Sequence, residues 1–208
     1  MKLRSILLAC AASLITAVVV SQAQVPGVNS ALNTVFTLAY DNSTMKQTYS
    51  SAGISVQSQA GVGATDVCAL SGSATKNVRV RRIIVGGVMT AVETIPIAII
   101  KRSAAPAAGA GTQPTIVPYD SSNAAATGVV EVWTANPTVG TVVGMLADVH
   151  VAFPNATTGI ANGAYTYTFG QLGQPIVLRG VAQSATVNFN NTLVHTGTVT
   201  CTFEWTEE

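Results

Sequence analysis

The segment TVTCTFEW, Thr198–Trp205, alternates between polar and apolar side chains at every position. Successive side chains of an extended chain point to opposite faces, so such an alternation predicts a β-strand with one buried face. The apolar row is Val199, Cys201, Phe203 and Trp205. The polar row is Thr200, Thr202, Glu204 and Thr206. This strand therefore requires a second layer of structure against its apolar side.

The same period of two recurs after residue 30, and no apolar stripe of helical spacing accompanies it. Turn residues, mainly Gly, Pro and Asn, separate the extended segments. The predicted strands are Asp66–Leu70, Asn77–Val88, Glu93–Lys101, Gly128–Thr134, Thr141–Phe153, Ala164–Phe169, Pro175–Arg179, Ala185–Phe189 and Thr198–Trp205. Because no crossover helices separate them, the sequence predicts an all-β fold, an antiparallel β-sandwich of jelly-roll-like form.

The N-terminal part has a different character. Residues 1–24 combine a basic start, an apolar run from Ile6 to Val20 and a small-x-small site at Ser21-Gln22-Ala23, which is typical of a signal peptide. An uncleaved hydrophobic anchor is the alternative. Residues 25–64 are predicted to form a short β arm, with a hairpin in TVFTLAY and MKQTYS, followed by a Ser- and Gly-rich segment that is either a linker or a loosely held strand. The sandwich is then expected over residues 65–208.

The chain contains three cysteines, and loss of Cys10 with a signal peptide would leave Cys68 and Cys201. One pair allows one connectivity, so these two residues are the disulfide candidate in an oxidising compartment. Two buried free thiols are the alternative.

Little in the sequence is equipped for catalysis, since 9% of the residues are charged and none of the common nucleophile, metal-protease or phosphate-loop motifs is present. Asp148 and His150 share one strand face, but no third ligand of matching spacing accompanies them. His195 is expected to lie at a turn. We expect structural roles for both histidines, and we predict no enzymatic activity, no cofactor and no metal.

Convergence of two carboxylates in a cleft would instead indicate a glycan-active enzyme or a lectin, and this alternative stays open at this point. The carboxylates concerned are Asp66, Glu93, Asp120, Glu131, Asp148 and Glu204.

Four residues are candidates for contacts with another subunit. Arg79 and Arg81 fall on one face of VRVRR, opposite Val78 and Val80, while Arg82 breaks the phase. Arg102 closes the next strand. Trp133, beside the Asn136-Pro137 turn, is interpreted as either a packing residue or an exposed contact. Between these strands, the Ala-, Gly- and Pro-rich connection Ser103–Thr127 is long enough that we expect it to contact a neighbouring subunit.

Several segments in the same order carry a resemblance to a known group. SGSATKNVRVRRIIVGG, IAIIKRSAA, YDSSNAAATGVVEVWTANPTVGTVVG, QPIVLRG and FEWTEE, spread from Val67 to Glu208, resemble small structural proteins of tailed bacteriophages and prophages. The resemblance implies a β-sandwich virion component, such as a capsid decoration or head-tail accessory protein. Its partners would be further copies of itself and a capsid lattice.

The signal-like N-terminus departs from that group, because phage heads assemble in the cytoplasm. The alternative is a secreted bacterial protein, a surface or adhesin-like sandwich in the periplasm or on the cell surface. The formal net charge is +1, and loss of Lys2 and Arg4 leaves 8 basic against 9 acidic residues. That balance favours no nucleic-acid partner, and a membrane would be contacted through residues 1–24 if they are not cleaved.

Overall fold

A computed structural model describes residues 46–58, 65–107, 111–155, 163–170, 174–191 and 193–208. The predicted signal segment and the first strand of the predicted hairpin lie outside the described residues. No helix in the described part has the length and apolarity needed to cross a membrane.

Regular structure in the described residues consists of β-strands. They are β1 (Gln47–Ser58), β2 (Thr65–Ser71), β3 (Asn77–Met89), β4 (Glu93–Arg102), β5 (Gly111–Thr112), β6 (Ile116–Pro118), β7 (Val129–Trp133), β8 (Val142–Phe153), β9 (Gly163–Thr168), β10 (Ile176–Arg179), β11 (Ser184–Phe189) and β12 (Thr196–Glu207). The prediction of an all-β chain is confirmed. The nine predicted strands correspond to β2, β3, β4 and β7 to β12.

The strands form two antiparallel sheets with the connectivity of a jelly roll. The first sheet has the order β10-β3-β12-β1-β6, with β9 also paired to β3, and the second has the order β5-β7-β2-β11-β4-β8. Among these described strands the chain changes sheet eight times, at β1 to β2, β2 to β3, β3 to β4, β5 to β6, β6 to β7, β8 to β9, β10 to β11 and β11 to β12. The orders β1-β12-β3-β10 and β2-β11-β4-β8 are those of a double Greek key, which is the jelly-roll arrangement.

β1 lies inside the first sheet, paired along its whole length with β12 and at its start with β6. The sequence assigned these residues to an arm and linker, so the sandwich begins before the predicted boundary at residue 65. Ser50, Ser51 and Gly53 are small, so this segment shows no clear alternation of large apolar and polar side chains. The ladder of hydrogen bonds to β12 holds it in the sheet.

The core lies between the sheets and follows the alternation in the sequence. Val199, Cys201, Phe203 and Trp205 are all fully buried, as predicted for β12. Trp205 stacks on Tyr49 of β1 with ring centroids 5.8 Å apart. A disulfide joins Cys68 of β2 to Cys201 of β12 with the two Cα atoms 6.6 Å apart, and it links the two sheets covalently.

The two sides of the sandwich differ in how their edges are protected. The connection from residue 103 to residue 127 contributes β5 to the edge of the second sheet and β6 to the edge of the first. Both are short, and β6 ends in Pro118, features that discourage further strand addition. At the opposite side β8 ends the second sheet and pairs with β4. β5 and β6 thus extend this chain's own sheets, and the expected contact of the connection with a neighbouring subunit stays a prediction.

Candidate functional site

The arginines of β3 lie on the outer face of the first sheet. Val78 and Val80 point into the core. Arg82 pairs with Glu204 and Val80 with Trp205, so Arg81 is the extra residue of a β-bulge. The bulge explains the break in phase at Arg82, because one additional residue reverses the alternation.

Two of these arginines are held in ion pairs. Arg79 Nε lies 2.6 Å from Glu208 Oε1. The bond donated by Arg79 lowers the pKa of Glu208. Arg82 pairs with Glu204 in the same way. Arg81 is exposed, so it is the sequence-predicted contact residue that the fold presents most openly.

Trp133 and Arg102, proposed from the sequence as contacts, are each 2% exposed. Trp133 is therefore a packing residue, the first of its two interpretations. Arg102 Nη2 lies 2.7 Å from Asp66 Oδ1, and its Nη1 donates to the Gly140 carbonyl at 2.6 Å. Neither side chain is available as an exposed contact. From the sequence, Arg102 was the residue that closes a strand. The alternation of side chains could not reveal that the Gly140 carbonyl accepts a hydrogen bond from it.

The buried Asp66 and Arg102 pair includes a third side chain, since Asn188 Nδ2 donates to Asp66 Oδ1 at 2.6 Å. Burial raises the pKa of Asp66, although the hydrogen bonds from Arg102 and Asn188 oppose the shift. The three residues come from β2, β4 and β11, so this group fixes three neighbouring strands of the second sheet on their outer face.

Glu207 anchors the end of β12, and the sequence analysis did not single it out. Its side chain is fully buried. Its carboxylate accepts hydrogen bonds from Gly128 N at 2.9 Å, Thr127 N at 3.0 Å and Trp205 Nε1 at 3.0 Å. Burial favours the neutral acid, but these bonds outweigh it and lower the pKa of Glu207. The one sequence signal for its burial was the alternation of side chains, since Glu207 continues the row of inward-facing residues in β12.

His195 is buried near one end of the sandwich. Its Nδ1 lies 2.7 Å from Glu93 Oε2, and its Nε2 lies 2.9 Å from Asn191 Oδ1. The Phe189 ring meets the imidazole edge-on with centroids 5.4 Å apart. These contacts tie the turn before β12 to the start of β4, while His150 is exposed on β8.

Five of the six carboxylates considered for glycan chemistry have separate partners, among them Asp66, Glu93 and Glu204. Asp120 accepts from Ser122 in a turn, and Asp148 accepts from Asn190 Nδ2 at 3.3 Å. Glu131 lies on β7 opposite Ala69. Across the described ranges, no three His, Cys, Asp or Glu side chains form a group suited to a metal ion.

The most distinctive surface lies on the first half of β8. Its side chains are apolar and 46–61% exposed, and we call them the β8 strip: Val142, Val143, Met145 and Leu146. Register shifts opposite β4 show that Val143 and Leu146 are bulged residues. Each bulge re-aims one side chain away from the regular alternation, which brings all four to the surface.

A groove of about 360 Å³ adjoins the β8 strip between the two sheets. Leu146, Phe169 and Ile176 contribute its apolar lining, and Lys101 and Arg179 contribute the charge. Lys101 Nζ donates to the Val177 carbonyl at 2.9 Å, so it bridges β4 and β10 across this groove.

Comparison with protein-family models, with curated proteins and with solved structures gave no match.

Proposed function

We propose that this chain is a non-enzymatic structural protein, a virion component of a phage or prophage that acts as a capsid decoration or accessory subunit. The observation that carries the proposal is the unequal protection of the sandwich. One side is closed by β5 and β6, and the other presents the uncharged β8 strip on a long edge strand. Exposed apolar patches of this kind are typical of protein contact sites.

The placement of the polar residues also supports a role based on shape. Asp66 with Arg102, Glu204 with Arg82 and Glu93 with His195 are engaged in pairs that hold strands together. Ionisable side chains that pair with each other in this way hold neighbouring strands of the fold in position. The jelly roll is an architecture common in viral shells, although lectins use it as well.

Co-sedimentation tests this proposal. The tagged full-length chain is mixed with particles from an induced lysogen and centrifuged through a density gradient. The expected result is that the chain migrates with the particles and remains with them at high salt, because the proposed contacts are largely uncharged. A chain that stays at the top of the gradient, or that leaves the particles as salt rises, contradicts the proposal.

A secreted surface or adhesin-like protein is the second candidate, and the disulfide between Cys68 and Cys201 is the observation that favours it. Disulfides persist in the periplasm and outside the cell, including on virion surfaces. Mass spectrometry of the chain isolated from the periplasm or medium separates the two. A new N-terminus near Gln24 supports export, and a retained Met1 in particle-associated protein supports the virion role.

A further inference from the structure

We propose that the β8 strip is the centre of a two-fold interface between two copies of this chain. This interface rests on the proposed structural role. The partner that occupies the β8 strip is a second copy of the chain, whose own β8 strip docks against it.

The first argument is the contrast between the two sides of the sandwich. On the closed side, β5 has two residues and β6 has three. On the open side, β8 has twelve residues and contains no proline. Native proteins normally shorten, charge or cover a long edge strand, because its apolar surface invites association. The bulges at Val143 and Leu146 interrupt the edge of β8, but they turn apolar side chains to solvent, so this is the side of the sandwich that favours association.

The second argument is charge. A patch on a two-fold axis meets its own copy, so any charge near the axis faces a like charge. From Val132 to Ala147 the chain contains no charged residue. The strip is therefore self-complementary, whereas the outer face of the first sheet carries Arg79, Arg81 and Arg82 and would repel its own copy unless its ion pairs were aligned.

The third argument comes from Gly144, in the middle of the strip. A Cβ added there would meet no atom within 4 Å, and its φ is outside the left-handed region. The packing of the single chain thus does not require glycine at this position. Glycine inside a strand marks a bulge or the close approach of a ligand or another backbone; Gly144 follows the bulge at Val143, and the open space beside it leaves room for the backbone of a second copy. Across a two-fold axis at Gly144, Val142 would face Leu146 of the second copy.

Interface size sets a further requirement. A stable interface buries about 800 Å² on each partner, which four half-exposed side chains do not supply alone. Val139, which precedes the strip, is also exposed, and the adjoining groove contains Phe169 and Ile176. These surfaces add apolar area beside the strip, and the docking must leave Lys101 and Arg179 of the same groove exposed to solvent, because each would otherwise approach a like charge.

Sedimentation velocity of the full-length chain over a range of concentrations is the test. The wild type is expected to form a dimer, and Val142→Lys is expected to raise the dimer dissociation constant about tenfold or more, since each lysine would then bury an unpaired charge against Leu146 of the second copy. Val117→Lys is the matched control, because Val117 on β6 and Val142 are both 55% exposed. The control should dimerise like the wild type.

Gly144→Lys is the second variant and guards against misfolding, because the single chain has space for the side chain. Its melting temperature should match the wild type while its dimer is lost. Gly144→Cys should give a covalent dimer with a short bismaleimide, and Val117→Cys should not exceed the wild-type background, which includes Cys10.

A wild type that stays monomeric at its highest soluble concentration overturns the two-fold interface. If that monomer still co-sediments with particles, the structural role stands. If the wild type dimerises but does not co-sediment with particles, the two-fold interface stands and the structural role is contradicted. A Val142→Lys variant that dimerises like the wild type but no longer migrates with particles would show that the strip docks a different protein, and the second-copy proposal would then be wrong.

Discussion

At the scale of single residues, the stability of the sandwich depends on a few buried ionisable groups. Glu207 is both buried and held in its charged form, because N–H groups of Thr127, Gly128 and Trp205 point at its carboxylate. Two of those donors belong to the connection before β7. Glu207 therefore fastens that connection to the last strand, and its charge state links this part of the fold to pH.

Glu207→Gln should lower the free energy of unfolding by about 1–3 kcal/mol at neutral pH, because an amide nitrogen then competes for a site built from donors. Urea denaturation measures the change. Glu131→Gln on β7 is the control and should stay close to wild type. Equal stabilities of the two variants would contradict the role given to Glu207.

The same residue predicts the acid sensitivity of the chain. A folded-state pKa below the unfolded value of about 4.3 means that the stabilisation is complete above that pH and is lost as the pH falls through the folded value. Wild-type stability should therefore fall below about pH 4 more steeply than that of Glu207→Gln. Parallel slopes in urea melts across this range would count against the assignment.

Asp66 and Arg102 form a pair whose members depend on each other. Asp66→Asn leaves the Arg102 guanidinium buried without its counter-ion and should cost about 3–5 kcal/mol. The double variant Asp66→Asn/Arg102→Met should cost less than the sum of the single variants, which urea denaturation of the four proteins will show. Additive costs would mean that the pair is not coupled.

The pKa of Asp66 is shifted in the opposite direction from the pKa of Glu207. Burial raises it, so the folded state holds this proton more tightly and the associated stability declines as pH rises from the unfolded value through the folded one. Removal of the guanidinium strengthens this effect. Arg102→Met should therefore regain part of its lost stability as the pH falls from 7 towards the ordinary pKa of an aspartate, about 3.9, a recovery that Asp66→Asn cannot show.

At the scale of elements, strands could be predicted wherever large apolar side chains alternate with polar ones. The predicted Thr141–Phe153 differs from β8 by one residue. The start of β1 was predicted as the second strand of a hairpin, and the rest as a linker or a loosely held strand. Its place in the sheet comes from pairing with β12, which small residues do not signal. The bulges in β3 and β8 depend on the register with the neighbouring strands. The sequence showed a break in alternation at Arg82, but it gave no sign of the bulges in the β8 strip.

The disulfide acts on elements, because it joins the central strands β2 and β12 of opposite sheets. Its cysteines are 133 residues apart, and closure of a loop of that length stabilises the fold by about 5 kcal/mol through the entropy of the unfolded chain. Cys68→Ala/Cys201→Ala should lose a stability of that order, measured by denaturant unfolding against wild type with and without reductant. A double variant as stable as the oxidised wild type would contradict this.

At the scale of the whole sandwich, residues 46–208, a sequence poor in charge forms a jelly roll whose edge strands differ from one side to the other. The sandwich class was predictable from alternation and turn residues. The strand order was not, because it depends on which strands meet between sheets. Nor could the sequence separate exposed Arg81 from buried Arg102, since both arginines lie in similar polar strand contexts and differ in what covers them.

The central claim is that this chain serves as a building unit of a particle. Quantitative mass spectrometry of purified particles, with isotope-labelled standard peptides, measures it most directly. The account predicts a fixed copy number relative to the main shell subunit, unchanged from one preparation to the next and even because copies enter as pairs. Absence of the chain from purified particles, or an amount that falls steadily with each purification step, would contradict it.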